Sequence, residues 1–378
     1  MTDFNALPFD DDAMVAGLKP WVECESPTHD AAAVDRMIDL ATYDLAAMGA
    51  SIERIPGRMG CGGSVRATFP HPNAGSPGIL IAGHMDTVHP VGTLDVLPFR
   101  REGNKCWGPG IQDMKSGNYV SLEAIRQLAR ASIETPLPVT VLFTPDEEIG
   151  TPSTRNLIEA SAATQKYVLV PEPSWANGRV VWGRYAIARF NLETIGKPNH
   201  AGVDPRKGVS AVREMAKRTL EIEAMTTDDT TFSVGCVQAD QLHVNCVPSG
   251  CSAQAICMAK KQSDLDAAVE KMLSLTTTAG EVQFHVTRGV TRPVWEPDAG
   301  TKALYEHARG LAQDLGFDIP AEMAGGGSDG NFTGAMGIAT LDSLGPRGAG
   351  LHTLTEHIEI DSLAERGKLI AGLLATLR

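Results

Sequence analysis

Apolar residues first recur at helical spacing from Asp11 to about Met48, with the polar stretch CESPTHD between two periodic segments. Two helices joined by a turn are predicted there. Short strand-like runs follow: SIERI, SVRATF and the wholly apolar ILIAG. The segment MKSGNYVSLEAIRQLARAS, from Met114 to Ser132, has the spacing of an amphipathic helix and leads into another apolar run, VTVLF. Strands and helices alternate as far as Glu172. That order predicts an α/β fold with a mainly parallel sheet covered by helices.

The pattern changes near Val181. RYAIARFNLETIG alternates at period two, a helix is predicted from about Ser210 to Ala224, and TFSVGCVQA and SGCSAQAICMA read as strands. A helix near Leu265 to Thr276 and the strand VQFHVTRG complete the stretch. Strand, helix, two strands, helix, strand is the ferredoxin-like order. An α+β domain is therefore expected at 183–290, inserted into a domain formed by 1–182 and 291–378. A chain of 378 residues also exceeds the size at which single cores stop growing.

Four apolar runs each end in a residue able to bind metal: GILIAGHMD (78–86), VTVLFTPDEE (139–148), YVLVPEP (167–173) and IATLDSLGPRGAGLH (338–352). Ligand sites in open α/β sheets gather beyond the carboxyl ends of the strands. His84, Glu147, Glu148, Glu172 and His352 are thus expected to converge. Asp86, two positions after His84, is able to accept the second ring N–H and fix the tautomer. Asp113 lies in the Gly/Pro-rich WGPGIQDMKSG just before a helix, where it either caps that helix or bridges two cations. Glu147 and Glu148 leave a strand in different directions, so one can bind metal while the other handles a proton. Beside Asp146 such a cluster is costly unless cations neutralise it. Each of these residues taken alone also reads as an ordinary strand-end or turn residue. Together, two imidazoles and several carboxylates without thiolates suit a catalytic zinc pair.

Composition narrows the partners. A net charge of −13 disfavours nucleic acid and anionic membranes, leaving small molecules. No apolar run approaches the ~18 residues that span a bilayer. The acidic N-terminus, MTDFNALPFDDDAMV, lacks the basic and apolar regions of a secretory signal, so a cytoplasmic protein is expected. Seven cysteines without CxxC spacing indicate neither a disulfide framework nor a thiolate zinc site. GGGSDG at 325–330 formally satisfies the dinucleotide fingerprint, but no strand is predicted to lead into it and no acidic ribose partner follows. HTLTEH, containing Glu356 and His357, matches neither zincin motif.

The motifs GHMDTV, WGPGIQDMKSG, PDEEIG, PEP, KPNHAGVDPRKGVSA and GLHT together resemble the M20 metallopeptidase family. That family includes glutamate carboxypeptidases, acetylornithine deacetylase, succinyl-diaminopimelate desuccinylase and aminoacylase. The resemblance covers nearly the whole chain and is strongest to the glutamate carboxypeptidase branch. It implies a dinuclear zinc hydrolase, with cobalt or manganese as substitutes, that cleaves an amide bond in a small carboxylate-bearing substrate. An N-acyl amino acid deacylase, or a mononuclear aminohydrolase on the same scaffold, is the alternative. By the resemblance Asp113 bridges two ions, Glu148 and His352 complete one site, and His84 and Glu172 complete the other. Glu147 is the implied general base and Asp86 the orienter of His84. The inserted domain is an implied lid through which homodimers form; its His200 reaches over the partner's active site to the substrate carbonyl, and its Asn245 contacts substrate. The resemblance also implies a carboxylate-binding arginine in VTRGVTRP, either Arg288 or Arg292, and a pocket-lining loop containing Gly326, Gly327 and Ser328. Gln112 and Ser116 depart from commoner family forms.

Overall fold

Runs without a polar face form the strands buried on both sides, as expected for a helix-covered parallel sheet. Ile79–His84 and Val139–Thr144 are buried at every position and pair in parallel, Ile79 opposite Val139. Tyr167–Leu169 flanks the other side of Ile79–His84, and Ala339–Leu341 continues the parallel order. Ser64–Thr68 and Ser51–Ile55 close the far edge antiparallel. The six-stranded sheet is therefore mainly parallel. The computed structural model describes residues 3–240 and 243–378. It divides into two units, one comprising the chain up to Gly183 with Glu296–Ala324 and Ser328–Arg378, the other Arg184–Trp295 with Gly325–Gly327.

In the first unit, the opening helices Asp11–Glu23 and Ala31–Ala47 start at Asp10 and Asp30, whose side chains accept from amides of the first turn. Trp21 packs edge-on against Tyr119 and Phe143, with ring centroids 5.7 and 6.3 Å away, while its indole N–H donates to Asp44 at 2.8 Å. The helix Ser116–Arg130 approaches the sheet very closely at its start. A Cβ on Gly117 would lie 1.8 Å from the Pro171 carbonyl oxygen, and one on Gly83 would lie 2.0 Å from Asn118 Oδ1. Both glycines are thus required for the approach. It lets Asn118 donate to the His84 carbonyl at 2.7 Å and brings the turn before the helix to the ends of the His84 and Glu172 segments.

The second unit holds an antiparallel four-stranded sheet made by Ala186–Ile195, Thr230–Ala239, Gly250–Ala259 and Gln283–Arg292. Ala186–Ile195 lies between Gly250–Ala259 and Gln283–Arg292, with Thr230–Ala239 at one edge, the ferredoxin-like arrangement. Helices Ala211–Glu223 and Gln262–Ser274 supply its core together with Ala186, Ala188, Phe190 and Leu192 on one strand face. The Ser210 hydroxyl caps the first of these helices by accepting from the Arg213 amide at 3.1 Å.

Two details differ from the sequence expectation. The last strand of the second unit continues past VTRG because an irregularity between Arg288 and Thr291 interrupts the alternation without ending the pairing. Trp295 then pairs with Arg184, extending this unit beyond position 290. A short strand, Ala321–Ala324, does run into GGGSDG. With four residues and a glutamate it carries no recognisable strand pattern, and it pairs with Val180–Arg184 rather than joining the six-stranded sheet.

Candidate metal centre

Asp113 decides the geometry of the site. Its local sequence suits a helix cap, but the helix Ser116–Arg130 begins without any side-chain cap. The turn at Ile111–Lys115 is irregular, with Asp113 at φ −110°, ψ 99°, and the carboxylate faces two histidines instead. Oδ1 lies 3.1 Å from His84 Nε2, and Oδ2 lies 3.1 Å from His352 Nε2. Glu172 Oε1 stands 3.8 Å from the same His84 nitrogen, and Glu148 Oε2 stands 3.3 Å from that of His352. Two groups of ligand-type atoms result, His84–Asp113–Glu172 and Asp113–Glu148–His352, each with its atoms within 4.8 Å of one another.

Asp86 ties these groups together from behind. Its Oδ1 is 3.3 Å from His84 Nδ1 and accepts from the Glu147 amide at 3.2 Å. Its Oδ2 accepts from the Glu148 amide at 3.2 Å and from the Thr28 hydroxyl at 2.7 Å. The Asp86 carbonyl also lies 3.0 Å from His84 Nδ1. With Nδ1–H so engaged, Nε2 is left as the lone-pair nitrogen facing Asp113 and Glu172. Glu147 is half-buried and belongs to neither group of ligand atoms.

The charges do not balance with carboxylates and neutral imidazoles alone. Burial disfavours charge on His84, yet hydrogen bonds to Asp113 and Asp86 carry its pKa well above the usual value. Hydrogen bonds to Asp113 and Glu148 push His352 up to about 11. Burial, followed by the charge of Asp113, pushes Glu148 up to about 8 and raises Glu172 well above the carboxylate range. Burial also opposes ionisation of Asp113, but the two histidines hold its pKa below normal. The cluster therefore binds protons strongly, and divalent cations could take their place. Glu148 Oε1 is buried without a hydrogen-bond partner, which leaves acceptor capacity that a cation would satisfy. Nitrogen and oxygen donors, three to each group with Asp113 shared, fit a catalytic zinc pair with coordination positions left open.

The remaining candidate residues fall elsewhere. Within the second unit, His200 pairs with Cys246, and the Asn245 carbonyl accepts from the Ala201 amide at 2.9 Å, so His200 and Asn245 share one exposed corner. Arg292 is 1% exposed and lies against Gly327, where an added Cβ would meet its Cδ at 2.7 Å. Arg288 is exposed and donates from Nε to the Thr291 hydroxyl at 3.0 Å. Ser328 is fully buried, its hydroxyl donating to Asp342 and accepting from the Gly330 amide. Arg184, which the sequence did not single out, donates to the Gly326 carbonyl at 2.7 Å. Thr28 and Asn118 were likewise not anticipated, since each acts through side-chain hydrogen bonds to a segment distant in sequence.

The sequence profile of peptidase family M20/M25/M40 matches residues 80–376. The chain belongs to this family. Like other members of the family it is a metallohydrolase acting on amide bonds. It is 30% identical over 386 residues to carboxypeptidase G2 of Pseudomonas sp. (strain RS-16), covering 99% of this chain and 91% of that protein. It is 26% identical to succinyl-diaminopimelate desuccinylase of Azoarcus sp. (strain BH72), over 90% of this chain and 92% of that protein. In three dimensions it is similar to aminopeptidase PepT from Bacillus cereus ATCC 10987. The TM-score is 0.75 at 25% identity, and 97% and 98% of the two chains are covered.

Proposed function

We propose that this M20 enzyme is a dinuclear zinc hydrolase that removes a C-terminal acidic amino acid, glutamate above all, from an acylated or aryl-amide compound. The observation that carries the proposal is Asp113, with one carboxylate oxygen 3.1 Å from each histidine. His84, Asp113 and Glu172 would hold one ion; Asp113, Glu148 and His352 would hold the other. Zinc there would supply Lewis acidity, drawing the pKa of water toward neutrality and offsetting the charge that grows on the amide oxygen. Cobalt or manganese would suit the same donors.

Glu147 would take the proton of the attacking water and return it to the departing amine nitrogen. Two features support this role: the carboxylate lies outside both ligand groups, and its backbone is anchored to Asp86. Asp86 would keep His84 in the tautomer that offers Nε2. His200 Nδ1 accepts from the Gly202 and Val203 amides at 3.1 and 3.2 Å, so Nε2 carries the proton of the neutral ring. That N–H would donate to the substrate amide oxygen, with Asn245 beside it as a further polar contact. Between the two candidate arginines, burial beside the Gly-rich loop favours Arg292 as the bidentate clamp for the substrate carboxylate. The backbone of Gly326 and Gly327 would line the same pocket. Homodimers through the unit containing 184–295 and a cytoplasmic setting complete the reading; the latter suits seven free cysteines.

A deacylase acting on N-acyl amino acids is the second reading, favoured by the 26% identity to a desuccinylase. The test is a panel of N-acyl and folyl-type glutamates against N-acetyl and N-succinyl diamino acids, run with zinc-titrated protein. Release of free glutamate, reaching its maximum at two zinc equivalents, is expected. Turnover of the diamino acid derivatives alone would establish the second reading, and a maximum at one equivalent would indicate a mononuclear enzyme.

A further inference from the structure

Glu356 carries no metal-ligand geometry, yet it is 1% exposed and its two carboxylate oxygens receive four donors. Oε1 accepts from the amides of Gln112 at 2.8 Å and Asp113 at 3.0 Å. Oε2 accepts from the Gly110 amide at 3.1 Å and lies 2.7 Å from His89 Nε2. Because a carboxylate only accepts, His89 carries a proton on Nε2. Three segments meet at this one side chain. His89 lies just beyond the Ile79–His84 strand, Gly110 to Asp113 lead into the irregular turn, and Glu356 follows His352 by four positions. Each segment bears one member of the row His84, Asp113, His352.

We propose that Glu356, backed by His89, is a positioning residue that sets the Asp113 carboxylate between the two histidines and thereby governs the affinity of the paired metal site. The proposal rests on the dinuclear reading above. The turn carrying Asp113 lies outside regular helix, so its buried amides need partners that no helix provides. Glu356 supplies them to Gln112 and Asp113 within that turn and to Gly110 just before it. Without it the turn would rotate to find other acceptors, and Asp113 would leave the line between the imidazoles. Residues that orient a ligand without touching the metal typically alter affinity by ~10–100-fold.

The test compares wild-type protein with His89→Ala, His89→Gln and Glu356→Gln. Zinc per chain is measured by elemental analysis and affinity by competition with a chromophoric chelator. Thermal midpoints of metal-stripped samples and kcat and KM are measured alongside. The glutamine at position 89 keeps an N–H for Oε2, while Glu356→Gln turns an amide donor toward other donors. Wild-type protein should hold two ions. His89→Ala and Glu356→Gln should weaken one of them by ~10-fold or more and lower kcat rather than raise KM, and His89→Gln should restore most of the loss. Wild-type zinc affinity in His89→Ala overturns the proposal. So does a loss confined to the thermal midpoint of stripped protein, which marks a purely structural role. A wild type that binds fewer than two ions instead refutes the dinuclear reading.

Discussion

Replacing Asp86 by asparagine preserves the shape of the side chain but removes its charge and turns one acceptor into a donor. Oδ1 serves His84 Nδ1 and the Glu147 amide, and Oδ2 serves the Thr28 hydroxyl and the Glu148 amide. The two backbone amides cannot reverse, and the Asp86 carbonyl 3.0 Å from Nδ1 holds the His84 ring as a donor, so the Thr28 hydroxyl is the group that turns to accept and the new NH2 would settle toward Thr28. The Glu148 N–H would then face a donor. A buried N–H left unpaired costs about 1–3 kcal/mol, and losing charge assistance on the remaining bonds adds about 1 kcal/mol. The total, about 2–4 kcal/mol, falls on the segments carrying His84, Glu147 and Glu148. Urea unfolding of stripped Asp86→Asn protein should show this loss, and chelator competition should show zinc bound ~10–100-fold more weakly. A stability change below about 0.5 kcal/mol together with unaltered zinc affinity would refute the reasoning.

Glu147→Gln should lower kcat by ~10²–10⁴-fold while elemental analysis finds wild-type metal content; loss of an ion would reassign Glu147 to the ligands. Arg292→Gln should raise KM for a carboxylate-bearing substrate far more than Arg288→Gln does, and the reverse order in steady-state kinetics would make Arg288 the clamp. In stripped protein His352 is raised to about 11, so its stabilisation is complete below the unfolded value and is lost as pH rises through the folded one. Glu148, an acid raised to about 8, also holds more protons folded than unfolded as pH climbs past the ordinary glutamate value of 4.5. Burial lowers Lys115 to about 8, and its opposing contribution enters only above that pH. Stripped protein should therefore melt lower at about pH 8 than at about pH 6, while zinc affinity rises over the same interval because binding displaces protons; a melting temperature that climbs would contradict this. Under native conditions a thiol reagent should modify the exposed Cys236 first and leave Cys106 and Cys257 untouched, since burial pushes these two thiols up to about 11 and about 12. Mass spectrometry of the alkylated protein checks the order.

The strands around the site were legible because ILIAG and VTVLF are buried on both faces and so lack any polar alternation. The second unit was legible for the opposite reason, as Ala186–Ile195 alternates between a packed and a solvated face. Metal-capable residues at strand ends stood out because an apolar run hands over abruptly to His84, Glu147 or Glu172. Asp113 was ambiguous because its neighbours favour a helix cap, and its actual partners lie 29 and 239 positions away. Glu356 was invisible as a functional residue because three of its donors are backbone amides, which leave no signature in side-chain identity. Arg288 and Arg292 could not be separated because the irregularity between Arg288 and Thr291 breaks the period-two pattern that would assign faces. The burial of Ser328, expected in a pocket-lining loop, left no mark in the sequence either, because its hydroxyl is engaged by Asp342, 14 positions on, in the interior.

Anomalous diffraction at the zinc edge, from crystals of protein loaded with zinc, tests the central claim most directly. Two peaks are expected in each chain, one among His84, Asp113 and Glu172 and the other among Asp113, Glu148 and His352, with a carboxylate oxygen of Asp113 on each. A single peak, or two peaks of which only one touches Asp113, would contradict the account.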